Sequence, residues 1–461
     1  MKINLGIPYG REEIFVKINE NNIGEIVYPN EVVITDEEKT LLKALEEPIG
    51  SKGFEEFLSD AQDILFLVND ATRPTPTERI LKIIYPKIKD KNIKFLVATG
   101  AHRAPTEEEY FEIFGEFYEQ LKTKIFAHDA KNDPMVFLGK SKNGTEMYIN
   151  KLAADAHKIV IISSVEPHYF AGYTGGRKSF LPGVASYKTI EQNHKLALKS
   201  SARALNLKGN PVHEDMEDAI KTIKDKEIFS IMTVLNRDEK IYAATAGDIT
   251  ESLNAAIEKA HQVFSVEIKE KADIVVAVAP YPMDIDLYQS QKALDNGKLA
   301  LNDNGILILV SKCRMGIGSE TFVKLLSSCR DPQEALDKIE KEYILGYHKS
   351  AKIAEIARWA EMWAVTRLED QVLESVFIRP FHNLQEAIDA ALAEKGDEKI
   401  LFLMNASLTV PRVRRKLIHR SKKFIYANHW DKGVAIEKLK AEVVLKSSKY
   451  SIVYNTTWDM R

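Results

Sequence analysis

The 461-residue chain is too long for one hydrophobic core of ordinary size, so two or three domains are expected. Hydrophobic residues at 45%, charged residues at 28% and a formal net charge of −3 give the balance of a globular protein with no general attraction to nucleic acid or to an anionic membrane surface. No apolar run reaches the roughly 18 residues that span a bilayer, and the opening MKINLGIPYGREEIF lacks the apolar core of a signal peptide, so a cytoplasmic setting is expected.

In chain order, the run Ile64 to Val68 reads as a buried strand ending at Asn69-Asp70, and a helix is predicted from about Pro76, with Ile80, Ile83, Ile84 and Ile88 at helical spacing. Ile93 to Ala98 is a second strand, ending at Thr99-Gly100-Ala101-His102. Pro105-Thr106 followed by glutamates starts a helix that runs to Phe114. His157 to Ile162 is a third strand, and it leads into Glu166-Pro167-His168. Ile274 to Ala279 and Gly305 to Val310 are two more, while Trp359 and Trp363, four apart on a helical pattern, suit core or interdomain packing. Two cysteines, Cys313 and Cys329, offer neither a disulfide framework nor a CxxC metal site and read as small buried side chains in a reducing compartment.

This alternation predicts an α/β fold of two domains with mainly parallel sheets. The charged IKEKAD, around Lys269 to Ala272, marks one boundary and Leu368-Glu369-Asp370 another. The expected division is 1–270 as an N-terminal α/β domain, 271–370 as a second α/β domain, and 371–461 as a segment returning to the N-terminal domain, with an extension after about 412. The basic cluster of that extension (Arg412, Arg414, Arg415, Lys416, Arg420, Lys422, Lys423) reads as solvated surface, because no aromatic residues interleave with it. In parallel sheets ligands sit beyond the carboxyl ends of the strands. Asp70, His102 and His168 each follow a strand end, so three loops distant in sequence are expected to converge on one crevice.

The richest stretch is Glu166 to His194, EPHYFAGYTGGRKSFLPGVASYKTIEQNH. His168 and His194 can each serve as an acid/base group or a metal ligand. Lys178 follows Gly175, Gly176 and Arg177, which sets an amine beside a backbone able to approach a ligand closely. The spacing matches neither a Walker A loop nor GxGxxG, and the 26 residues from His168 to His194 fit no HExxH or zinc-finger pattern. In NDATRPTP, Asp70 or Thr72 suits a helix cap, which leaves Arg73 free to hold a planar anion. His102 reads either as a local hydrogen-bonding residue or as part of the site. In YPMDIDLYQSQKALDNG, Tyr288, Gln289 and Lys292 share one helix face, either toward solvent or toward a ligand.

Taken together these segments resemble the nickel-dependent lactate racemase family. The resemblance rests on Asp70-Ala71-Thr72-Arg73-Pro74, Ala98-Thr99-Gly100-Ala101-His102-Arg103, the block His168 to His194, and Tyr281 to Lys292, which stand in the family's order and extend to about residue 410. It implies racemisation or epimerisation of a 2-hydroxy acid in an interdomain cleft, with nickel in a nickel-pincer nucleotide (pyridinium-3,5-bisthiocarboxylic acid mononucleotide) delivered by cofactor-assembly enzymes. By motif, Lys178 would tether the cofactor, His194 would ligate nickel, and His102 and His168 would be paired acid/base groups. Asp70, Thr72, Arg73, Gln289 and Lys292 would line the cofactor, and Arg73, Tyr288, Lys292 and His348 the substrate. The implied chemistry is economical: hydride leaves Cα for an electrophilic carbon while an imidazole takes the hydroxyl proton, so no carbanion forms. Ala71 and His348 depart from the family, where a larger polar residue and an aromatic can stand. A small residue at 71 and a partly cationic imidazole at 348 point to a substrate larger or more polar than lactate, such as malate. Two other classes fit the same residues: a metal-dependent lyase or hydrolase, and a non-catalytic binding protein for the cofactor or a hydroxy acid.

Overall fold

Apolar runs without alternation form strands when both faces of a sheet are covered. The run Ile64 to Val68 shows the consequence. In the computed structural model, Ile64, Phe66 and Val68 pack into one cluster, while Leu65 and Leu67 pack into another on the opposite face. The structure describes residues 1–396 and 398–414, together with the backbone of strands Val443–Lys446 and Ser451–Tyr454.

Two six-stranded sheets organise residues 1–414. The first runs in the order 241–247, 227–235, 158–164, 63–69, 92–98, 125–127, and is parallel except for the edge strand Ile241–Gly247. Its three central strands are those read from sequence: β1 (Asp63–Asn69), β2 (Asn92–Ala98) and β3 (Lys158–Ser164). The second sheet is parallel throughout, in the order 378–381, 361–365, 301–310, 272–278, 400–403, 23–27. Its central strand also divides its side chains, with Val275 and Ala277 on one face and Ile274, Val276 and Val278 on the other. No helix among the described residues is long and apolar enough to cross a membrane.

Chain order and lobe membership differ from the simple division at 270 and 370. Ile23–Val27 is the edge strand of the second sheet, and Ile7, Val16 and Ile18 of the N-terminal hairpin pack on that sheet's face. Residues 378–381 and 400–403 join the second sheet as well, rather than returning to the first. Val410–Val413 lies outside both, paired with Ser265–Ile268. Trp363 also departs from expectation: it is fully buried, but on strand Glu361–Val365 rather than on a helix. Trp359 precedes that strand and packs, partly buried, on the same lobe's core. Cys313 is buried, Cys329 half-buried, and both are free thiols.

Arg412 and Arg414 are exposed, while Arg415, Lys416, Arg420, Lys422 and Lys423 lie outside the described residues. The strands 443–446 and 451–454 form an antiparallel pair of their own.

Candidate active site

The first lobe builds its half of the site from the ends of β1, β2 and β3. Just beyond β1 the chain turns back on itself, with the Arg73 amide donating to the Asp70 carbonyl at 3.1 Å. Asp70 Oδ1 accepts from the Thr72 hydroxyl (2.6 Å) and amide (3.2 Å). The helix that follows, Thr77–Ile88, begins without any side-chain cap, so neither Asp70 nor Thr72 serves as one. Asp70 Oδ2 instead meets His102 Nδ1 at 2.7 Å. Burial raises the Asp70 carboxyl, but His102, Thr72 and Arg73 outweigh it and hold the group below the usual carboxylate range.

This contact fixes the His102 tautomer. Its Nδ1–H donates to the carboxylate, which leaves a lone pair on Nε2, and that atom meets Gln289 Nε2 at 3.2 Å across the cleft. His168 has the opposite arrangement. It sits in the hairpin Pro167–His168/Gly172–Tyr173, and its Nδ1 accepts from the Ala171 amide at 3.2 Å. The neutral ring therefore carries its proton on Nε2. Burial, then the charges of Lys178, Arg73 and Lys292 and the neighbouring His194, push His168 well below the ordinary imidazole value.

The loop that carries Lys178 needs its glycines. Gly175 and Gly176 have φ of +86° and +50°, and a Cβ on Gly175 would lie 2.6 Å from Val165. Arg177, fully buried beneath, donates to the carbonyls of Ala171, Tyr173, Thr174 and Gly175 at 3.0–3.4 Å and so fastens the turn. Lys178 points the other way, with Nζ 5.7 Å from the centre of the Phe170 ring. Burial, with repulsion from Arg73 and Arg177, pushes its amine well down. A lowered amine gives up its proton more readily, and the free amine is the nucleophilic form.

His194 lies near the end of the helix Tyr187–Lys195, which Ser186 caps. The Asn193 amide group donates to Asp215 (2.8 Å) and to the Val212 carbonyl (3.3 Å), so its oxygen must be the atom that faces His194 Nδ1 at 3.2 Å. His194 Nδ1 is then the donor, and Nε2 is left with a free lone pair. Burial, then His348 and Lys178, keep the ring neutral. A neutral imidazole with its second nitrogen oriented in this way is the form that binds a metal.

The second lobe closes the site with two helices. Leu287–Gly297, capped by Asp286, carries Gln289 and Lys292 inward, both buried, with Tyr288 half-buried beside them. Tyr347–Ala357 carries His348 and Lys349, also buried. In the Tyr281 to Gly297 segment, Tyr288, Gln289 and Lys292 line the cleft. Every residue expected at the site, including Ala71, Thr72, Arg73 and Tyr288, lines one cleft of about 600 Å³ between the lobes.

His348 is there, but it is not cationic. Burial, then Lys349 and Lys352, push it well below the ordinary imidazole value, and its Nδ1 pairs with the Tyr343 hydroxyl at 2.8 Å. Sequence reasoning missed Phe170 and Lys349. Phe170 is the hub of the site: its ring centre lies 4.5 Å from that of His168, 5.0 Å from His194 and 5.3 Å from His348. Lys349 is sandwiched over the rings of Tyr169 (4.7 Å) and Tyr288 (4.2 Å), bonds to the Tyr288 carbonyl, and is pushed by burial down to about 7. Phe170 is the apolar residue inside the block that was read for its polar ones. Lys349 lies on a helix whose burial no local pattern discloses.

The residues fit a tethered metal-bearing group. The buried Lys178 amine would lose its charge altogether as an amide or thioamide, which removes the cost of burying it. Among the described residues no three His, Cys, Asp or Glu side chains gather as a metal site, so a metal at His194 has to bring most of its ligands with it. Gln289 Oε1, in the lining of the cleft, is buried without a partner and is available to a ligand's polar groups.

The lactate racemase N-terminal domain model matches residues 9–206, and the C-terminal domain model residues 266–410. A lactate racemase of Thermoanaerobacterium thermosaccharolyticum is 31% identical over 403 residues, covering 84% of this chain and 94% of that protein. A lactate racemase of Lactiplantibacillus plantarum is 34% identical over 349 residues, covering 73% and 81%. The structure of the Thermoanaerobacterium apoprotein superposes with a TM-score of 0.81 at 30% identity, over 89% of this chain and all of that one. A Thermotoga maritima protein shares the fold, with a TM-score of 0.64 at 16% identity over 82% of this chain and 98% of its own.

Proposed function

The chain belongs to the lactate racemase family and is an isomerase of the racemase class, and from that premise we propose that it interconverts the two hands of a 2-hydroxy acid with a nickel-pincer nucleotide tethered to Lys178. The observation that carries the reading is the meeting, in one cleft, of two differently set imidazoles with a buried lysine amine and a histidine whose Nε2 is free. When bound, the cofactor supplies an electrophilic carbon that accepts and returns the substrate's Cα hydride. His194 Nε2 would hold the nickel, while Thr72, Arg73, Gln289 and Lys292 would line the nucleotide.

The chain's own residues have three tasks. Arg73, Lys292 and Tyr288 fix the substrate carboxylate, so that the reacting carbon keeps its place while the oxygen-bearing group turns. His102 Nε2, with Asp70 behind the ring, takes the hydroxyl proton as general base once the substrate displaces its contact with Gln289. Asp70 steadies the imidazolium that results. His168 Nε2–H faces the same cleft and donates to the substrate oxygen; to act as base for the opposite hand, its proton must move to Nδ1, giving up the contact with the Ala171 amide, so that Nε2 can take the hydroxyl proton. Burial of both lobes' faces excludes the water that would otherwise compete for these groups.

The proposed substrate is lactate or a more polar relative such as malate. Small Ala71 leaves room, and His348 and Lys349 give the second lobe's wall hydrogen-bonding groups. Sites that pair a polar substrate group discriminate more strongly than sites that only accommodate a methyl. A cytoplasmic setting and supply by cofactor-assembly enzymes belong to the same proposal. The test is kcat/KM for both enantiomers of lactate, malate and a longer aliphatic 2-hydroxy acid. A preference for malate of tenfold or more is expected if the polar wall sets specificity, and an equal preference for lactate would show that it does not.

A further inference from the structure

The imidazole of His348 has no role in the reading above beyond lining the wall, yet its surroundings are those of a ligand. Its ring centre lies 5.5 Å from that of His194, with the planes at 83°. Two imidazoles that share one metal at about 2.0–2.1 Å per nitrogen place their ring centres roughly 4.5–5.5 Å apart as the angle between them opens from about 90° to about 120°. The observed spacing falls at the wide end of that range. Each ring has its Nδ1 engaged on the far side, His194 by Asn193 at 3.2 Å and His348 by the Tyr343 hydroxyl at 2.8 Å. With Nδ1–H donating outward, to the Asn193 oxygen or to the Tyr343 oxygen, each ring offers Nε2, and an outer hydrogen bond on Nδ1 is the usual support of a metal-bound histidine. Both rings stand edge-on to Phe170, at 5.0 and 5.3 Å between ring centres. Imidazole nitrogen suits nickel among the available donors.

We propose that His348 is a second protein imidazole for the nickel held at His194. The two ligands come from different lobes: His194 from the helix Tyr187–Lys195 of the first, and His348 from the helix Tyr347–Ala357 of the second. Nickel would then tie the two halves of the cleft together, in addition to being carried by the tethered nucleotide. The inference rests on the proposed nickel site at His194, so its test separates the two.

The measurement is nickel K-edge X-ray absorption on protein made together with the cofactor-assembly enzymes, with the imidazole count read from outer-shell multiple scattering. Wild-type protein is expected to show two imidazoles and His348→Phe, which keeps the ring volume, one. His194→Ala is expected to lose most of its nickel. One imidazole in both wild type and His348→Phe overturns the inference and leaves nickel at His194 standing. Nickel without imidazole scattering in wild type, retained in full by His194→Ala, overturns both. The wild-type count decides the matter even if a variant folds poorly.

Discussion

At the residue scale, Lys178 and the two imidazoles carry separate claims. A thioamide needs a primary amine whose nitrogen can lose its charge, which a guanidinium cannot provide. Lys178→Arg is expected to keep the positive charge and lose the covalent adduct, checked by peptide mapping of nickel-loaded protein. An unmodified Lys178 in active wild-type enzyme would remove the assignment. His102 and His168 differ in which nitrogen holds the proton, so they are not interchangeable. Replacing either by alanine is expected to lower turnover on the order of 10²–10⁴-fold, the usual size of a general acid–base contribution. Rates taken in both directions should fall unequally for the two variants, because at rest the Nε2 of His102 is unprotonated while that of His168 carries the proton. Unchanged rates in both would contradict the pairing. These residues were legible because each stands beside a glycine, a strand end or another polar group in a recognisable block. Lys349 was not, since it is one lysine among several on a helix, and burial alone distinguishes it.

At the element scale, the strands were legible wherever both faces of a sheet are covered, because such strands appear as unbroken apolar runs. The turns after β1, β2 and β3 followed from that. The edge strand Ile23–Val27 was not legible: with Gly24 and Glu25 inside it, five residues carry too little apolar signal. Trp359 and Trp363 satisfied a helical spacing across a turn that the period cannot see. The helix Pro211–Ile220 offers a test of how burial sets stability. Its His213 is pushed down to about 3 by burial and by Arg177, whereas an unfolded chain titrates it near 6.5. Below about pH 6.5 the unfolded state gains a proton that the folded state refuses, so stability falls as pH drops through the window from 6.5 toward 3. His213→Gln removes that dependence. Urea unfolding at pH 7 and pH 5 should show wild type losing about 1 kcal/mol more than the variant, after allowance for the part of the ring that water reaches. Equal losses would mean that the ring takes up its proton without cost in the folded chain.

At the scale of the whole molecule, the site exists only because two lobes face each other. His102 meets Gln289 across the cleft, and the Glu191 carboxylate accepts from the Leu345 amide at 3.0 Å on the other side of the same gap. The chain reaches this arrangement by sending both its early strand Ile23–Val27 and its strand at 400–403 into the second sheet. Composition and motif order could not reveal that crossing, because strand partners are chosen by long-range packing rather than by neighbours in sequence. The most direct test of the central claim follows Cα-deuterated L-lactate, with malate alongside, during reaction with cofactor-loaded enzyme in ordinary water. Chiral chromatography and mass spectrometry should show the opposite enantiomer appearing toward a one-to-one mixture with the deuterium still on Cα. Inversion with loss of the label to water, or no inversion of any 2-hydroxy acid, would contradict the account.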